Sequence, residues 1–151
     1  MNNKGITIVA LIITIIVMLI LATVTVEIGT GEIKRAKIED LKTTMLLIKG
    51  RAQIVADKES FGESYDNTGM VKLAEATSYD VSNLQEEFSK LEDTTSLYIW
   101  EQIAMNNNSI DVEITNTDFF VIDYLTGEVY YSLGYTYEGI TYYSLSEMQK
   151  I

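Results

Sequence analysis

From Ile6 to Val26 the chain carries no charged side chain, and its only polar ones are Thr7, Thr14, Thr23 and Thr25. At ~1.5 Å per residue this run makes a helix of ~32 Å, enough to cross a bilayer core of ~30 Å. A helix that is apolar on every side is not stable in water and needs lipid or other helices around it. The threonine hydroxyls fit that setting, because they can bond back to carbonyls one turn earlier.

Composition narrows what the rest can do. Among 151 residues there is no Cys, His or Pro, which removes disulfides, thiolate and imidazole metal ligands, and every triad built on Cys or His. Chemistry would fall to carboxylates, Lys and Tyr, and none of these stands in a recognisable catalytic motif. The expectation is therefore no enzyme, no cofactor and no metal site. Asp111, Glu113, Asp118 and Asp123 are rich in oxygen, but they lack a calcium-loop spacing, and strand alternation would scatter them over two faces. Beyond the apolar run, enough chain remains for one small domain with a modest core.

The net charge of −11 is unevenly placed. Residues 1–60 hold 8 Lys/Arg against 6 Asp/Glu, a balance of +2, while residues 61–151 hold 3 against 16, a balance of −13. An acidic head of this kind is not expected to bind nucleic acid, which needs a basic surface. The acidity keeps an exposed head soluble, or sets it against slightly basic stems of neighbouring copies.

Three identities compete for the N-terminus: a secretory signal peptide, a plain membrane anchor, and a short leader followed by a membrane helix. A secretory signal has an apolar core of ~7–15 residues ending in a small-x-small site. Here the core is longer and ends in Leu21-Ala22-Thr23-Val24-Thr25-Val26 without such a site. The polar, basic leader Met1-Asn2-Asn3-Lys4-Gly5, followed at once by Ile6-Thr7-Ile8-Val9, resembles the cleavage and methylation segment of type IV prepilins. That resemblance implies residues 1–5 as leader peptide and a prepilin peptidase as partner. It also implies Lys4 as the recognition charge, Gly5 as the residue before the cut, and Ile6 as the new, N-methylated terminus. Glycine suits the place, since a residue without Cβ lets the backbone enter a tight active site extended. Most of the family has Glu as the fifth residue after the cut, where it neutralises a neighbour's terminal amine. This chain has Ala10 there, as in Gram-positive variants and tip subunits, so docking falls to apolar packing.

The two flanks of the run disagree about orientation. Lys4 stands on one side, and Lys34, Arg35, Lys37 and Lys42 on the other, so Lys and Arg counting alone favours the reverse topology. The resemblance implies a single-pass cell-membrane protein with its N-terminus cytoplasmic before processing and its head extracellular, and later a place in a cell-surface filament.

After the expected membrane helix at 6–26, residues 27–58 read as an amphipathic stem. Ile33, Ala36, Leu41, Met45, Ile48, Ala52 and Val55 recur at spacings of three to five, with charges on the remaining faces. A continuous helix from Ile6 to Lys58 would reach ~80 Å. Gly29 and Gly31 each cost ~1 kcal/mol in a helix interior, which makes Glu27–Gly31 a hinge candidate.

Residues 59–151 are expected to form an α+β head. Lys58 to Thr68 reads as a loop, Met70 to Ala76 as a short helix, and Ser82-Asn83-Leu84-Gln85 as a capping box. The box opens a helix whose stripe is Leu84, Phe88 and Leu91. Leu97–Trp100 reads as a buried strand, and Glu101–Met105 as one helical turn. From Asp118 the apolar period becomes two. Phe119–Tyr124 and Glu128–Ser132 flank a turn at Leu125-Thr126-Gly127, and Tyr135–Tyr137 and Ile140–Tyr143 flank Glu138-Gly139. Ser144-Leu145-Ser146-Glu147 fits a second capping box. Seven of the ten tyrosines lie between Tyr124 and Tyr143, so one sheet face should pack on the stem while rings on the other tolerate water.

The predicted fold class is thus α+β: a long N-terminal helix, membrane half plus amphipathic stem, packed on a small antiparallel sheet. The order of long helix, loop and strands also resembles a pilin head. The resemblance implies a structural subunit of a type IV pilus-like filament or secretion or DNA-uptake pseudopilus. Its partners would be the membrane and other copies or other pilin-like subunits. The alternative is a surface or sensor domain on a single membrane anchor that never polymerises.

Overall fold

The computed structural model describes residues 3–151, with side chains described for 8–23 and 31–151. The fold is α+β, with an N-terminal helix and a five-stranded antiparallel sheet. Helix α1 is Asn3–Ser60. The chain divides into two compact units, residues 1–39 and 40–151. The expected division between stem and head, at 58/59, lies within the second unit. Met45, Ile48, Ala52 and Val55 are all within 5% of full burial and supply one wall of the head's core, so the last part of α1 is an integral layer of the second unit.

In the second unit the strands are β1 (Met70–Lys72), β2 (Leu97–Trp100), β3 (Phe120–Asp123), β4 (Val129–Tyr137) and β5 (Ile140–Ser144). They lie side by side in sequence order. Pairing is set by register: Val71 faces Ile99, Tyr98 faces Ile122, Val121 faces Tyr130, and Tyr135 faces Tyr142. Both sheet faces are covered in the middle. Trp100, Phe120, Ile122 and Val129 pack with the α1 residues and with Ala104, Met105, Leu145 and Met148. Their neighbours along the strands, Ile99, Phe119, Val121 and Tyr130, pack on the other side with Leu84, Phe88 and Ala76. Period two accounts for the division, since adjacent strand residues point to opposite faces. The expectation of one wet tyrosine face is corrected accordingly: Tyr130 is buried, and Tyr124, Tyr131, Tyr135 and Tyr142 pack at the edge of the α1 side.

Most local readings of the head hold. The strand at Leu97–Trp100, the helix α3 at Gln102–Asn107 and both hairpins form where turn chemistry places them. Gly127 has φ 71°, and Glu138 and Gly139 have φ 49° and 83°, the double positive φ of a tight hairpin turn. Ser144 caps α4 (Leu145–Met148), its hydroxyl accepting from the Glu147 N–H. Two readings fail. Met70–Ala76 is an edge strand followed by a 3-10 turn, because Val71 pairs with Ile99 on a neighbour far along the chain. Ser82 is not a cap: its N–H donates to Asp80 Oδ1 at 3.1 Å, and a 3-10 turn at Ser82–Leu84 precedes α2, Gln85–Ser89. The stripe of Leu84, Phe88 and Leu91 still faces the core. On α1, Ile33 and Ala36 are exposed, against expectation, and Ile38 is buried.

Candidate assembly surfaces

In the first unit the described side chains from Ile8 to Thr23 are all exposed, on every side of the helix. Twelve large apolar side chains between Ile8 and Leu21 stand 46–67% open. The hydroxyls of Thr14 and Thr23 donate to the carbonyls of Ala10 and Leu19, as expected, so neither presents an unsatisfied donor to an apolar surrounding. Ala10 is exposed in the same stretch. Lys4, Gly5, Ile6 and Gly29 lie outside the residues with described side chains, and of the hinge segment only Gly31 lies inside them. Gly31 is helical and exposed, and a Cβ there would meet nothing within 4 Å. Among the described residues no helix is long and apolar enough to cross a membrane. Within the expected span of Ile6–Val26 side chains are described only over 8–23, a stretch shorter than the ~20 residues a crossing takes.

The second unit carries another apolar surface that the sequence reading missed. Opposite the buried row of α1 lie Leu46, Leu47, Gly50 and Ile54, all exposed. Met45-Leu46-Leu47-Ile48 is apolar throughout, so the periodicity that marks the inner row is silent about an outer one. The outer row was recoverable from phase: residues 47, 50 and 54 keep the three- and four-residue spacing of a single face. No acidic residue lies between Leu41 and Ala56, where Lys42, Lys49 and Arg51 stand.

The acidic groups of the head do not converge. Among the described residues no group of three or more Asp or Glu is placed to hold a metal ion. Asp111 and Glu113 are exposed, whereas Asp118 is half-buried beside Tyr131. Asp123 is buried and structural. Its Oδ1 accepts from the Ser96 hydroxyl at 2.6 Å and from the Leu125 N–H at 2.9 Å, and its Oδ2 from the Thr126 hydroxyl at 2.6 Å. It borders a groove of about 380 Å3 lined by Lys49, Gln53, Asp57 and the Leu125–Gly127 turn. Both Asp123 oxygens are engaged in holding that turn and Ser96. Burial raises the hydroxyl pKa of Tyr130 and Tyr131 to about 12 and that of Tyr124 further still. Tyr124 accepts from the Trp100 indole N–H at 2.8 Å and donates to the Met70 sulfur.

Comparison of the chain with known protein families, with curated proteins and with solved structures gave no match.

Proposed function

We propose that the chain is a structural subunit of a type IV pilus-like filament or of a secretion or DNA-uptake pseudopilus. In this reading it is inserted as a precursor, cut between Gly5 and Ile6 by a prepilin peptidase, and polymerised through its apolar helix. The observation that carries the reading is the helix surface from Ile8 to Leu21, apolar and exposed on every side. Each of its twelve large side chains is about half open and gains about 0.7–1.5 kcal/mol when removed from water. Together they match the whole stability of a typical domain, about 5–15 kcal/mol, which favours an apolar surrounding in the working state. Lipid serves the precursor, and the helices of other copies serve the filament, where close packing replaces lipid contacts. Residues 6–26 would then be the membrane half of the finer fold description and the filament core after processing. The acidic head, −13 over residues 61–151, forms the hydrated exterior.

A second reading, a surface domain on a permanent anchor, draws on Ala10 in place of a carboxylate and on the Lys34, Arg35 and Lys37 cluster after the apolar run. The mature N-terminus separates the two. Mass spectrometry of sheared surface material is expected to find N-methyl-Ile6. Intact Met1 retained in membranes that contain an active prepilin peptidase refutes the filament reading. Ala10→Glu sorts the docking mode: improved assembly marks an auxiliary subunit, and lost assembly marks a purely apolar contact.

A further inference from the structure

We infer that Met70 is a peroxide-sensitive modification site, at which oxidation of the sulfur to the sulfoxide breaks a clasp of Trp100, Tyr124 and Met70 and loosens the edge strand β1. The inference concerns the second unit alone. It goes beyond the assembly reading and does not depend on it.

The second unit holds four methionines, Met45, Met70, Met105 and Met148. Met45, Met105 and Met148 are 0% exposed, whereas Met70 is half-buried on the edge strand of the sheet. A dissolved oxidant therefore reaches Met70 ahead of the other three. The strand that carries it is lightly held. β1 has three residues and pairs on one side only, with β2. The Glu101 N–H donates to the Gly69 carbonyl at 2.8 Å. Met70 and Trp100 are the next pair along the ladder, of the kind that exchanges no hydrogen bond and brings its side chains closer together. The Met70 N–H donates instead to the Asn67 carbonyl at 3.0 Å, inside the preceding turn.

What holds Met70 in place is a chain of hydrogen bonds at the rim of the core. The Trp100 indole N–H donates to the Tyr124 hydroxyl oxygen at 2.8 Å, and that hydroxyl donates to the Met70 sulfur at 3.6 Å. Tyr98 stacks on the Tyr124 ring with 4.2 Å between centroids. Burial keeps the Tyr124 hydroxyl protonated well past the ordinary tyrosine range, so it needs an acceptor, and the thioether is a weak one. Hydrogen peroxide supplies the oxygen. A sulfur lone pair attacks one peroxide oxygen, an S–O bond forms and the O–O bond breaks. The sulfur gives up two electrons, and the proton of the transferred hydroxyl goes to the departing hydroxide, which leaves as water. The product is a polar, chiral side chain where an apolar one packed. It carries one more atom into the contact with Tyr124 and Trp100, and added volume in a packed region displaces its neighbours. β1, with a partner on one side only, is the element that yields, and Trp100 behind it meets water.

The chain has no cysteine and one tryptophan, so peroxide chemistry falls on methionine and Trp100 reports it without interference. The full-length chain in detergent micelles is treated with hydrogen peroxide and followed by peptide mass spectrometry. The Met70 peptide is expected to gain one oxygen about tenfold faster than those of Met45, Met105 and Met148, in the order of their exposure. The oxidised chain is expected to show red-shifted Trp100 emission and faster amide exchange at Val71 and Ile99, which pair across β1 and β2. Methionine sulfoxide reductases are expected to reverse both changes. Met70→Leu keeps the side-chain volume and is expected to abolish them, whereas Met18→Leu, which removes the exposed sulfur of the apolar run, leaves them intact. Oxidation of all four methionines at one rate overturns the inference. So does a Met70 sulfoxide that alters neither emission nor exchange, or the same response in Met70→Leu.

Discussion

At the residue scale, one buried carboxylate and one glycine do more structural work than their sequence surroundings announce. Asp123 reads as one acid among sixteen in residues 61–151, yet three donors converge on it and its main chain bonds to Gly127 and Glu128 across the turn. Two of those donors, Leu125 N–H and the Thr126 hydroxyl, are local and follow from an acid two and three residues ahead of them. The third, Ser96, is 27 positions away, and only the fold supplies it. Asp123→Ala is expected to cost about 2–3 kcal/mol, because buried donors lose a charged acceptor, and Asp123→Asn about half as much, since one oxygen still accepts. Urea denaturation of the purified full chain measures both. Gly134 has φ 64°, and a Cβ there would lie 2.7 Å from Thr141 Cγ2 and 2.8 Å from the Tyr143 ring. Gly139 has φ 83° but open space around it. Gly139→Ala should therefore cost about 1–2 kcal/mol from backbone strain alone, and Gly134→Ala clearly more, read as a larger drop in the denaturation midpoint.

Elements match the sequence expectation where their signals are local and depart from it where their partners are distant. The two hairpins rest on Gly127 and on Glu138-Gly139, whose positive φ values match the turns expected from sequence, and the Ser144 cap on a residue three positions away. β1 has three residues and no pattern of its own; it exists because β2 offers an edge to pair with. Sequence alternation predicts two strands over the length of β4. It is one, with a bulge between Tyr130 and Tyr135 where five steps on β4 meet two on β5. The Ser132 hydroxyl pins that irregularity by accepting from the Phe119 N–H at 2.9 Å and donating to the Thr117 carbonyl at 2.8 Å. Helix α1 carries Gly31 and Gly50 where a methyl would meet nothing. Each change to Ala is expected to raise local helix stability by ~1 kcal/mol, seen as slower amide hydrogen exchange in the surrounding turns. Should residues 27–31 exchange no faster than the flanking turns in the unmodified chain, Gly31 is no hinge.

On the scale of the whole molecule, the second unit is a three-layer stack in which helical segments cover both faces of one small sheet. Burial of its tyrosines ties that stack to alkaline pH. Tyr130 and Tyr131 titrate near 12 in the folded chain against about 10 when unfolded. Their folded pKa is raised, so the contribution to stability is complete below pH 10 and is lost as pH rises toward 12. Stability is therefore expected to fall over that interval, with tyrosinate absorbance showing a late-titrating subset among the ten tyrosines; titration of all ten together near pH 10 in the folded state would contradict it. The apolar run, the uneven charge, the missing Cys and His and the alternation after Asp118 are properties of neighbouring residues. They specified an α+β chain with an apolar helix at one end and hairpins at the other. Which faces those elements bury depends on residues far apart in sequence coming together. Met45 joins Trp100, Phe120 and Met148 in one core, Phe88 joins Tyr130 edge to face at 5.5 Å in the other, and Leu46, Leu47 and Ile54 are left outside. A run such as Met45-Leu46-Leu47-Ile48 is hydrophobic all round, so the sheet selects the buried side, and with it the side that stays exposed.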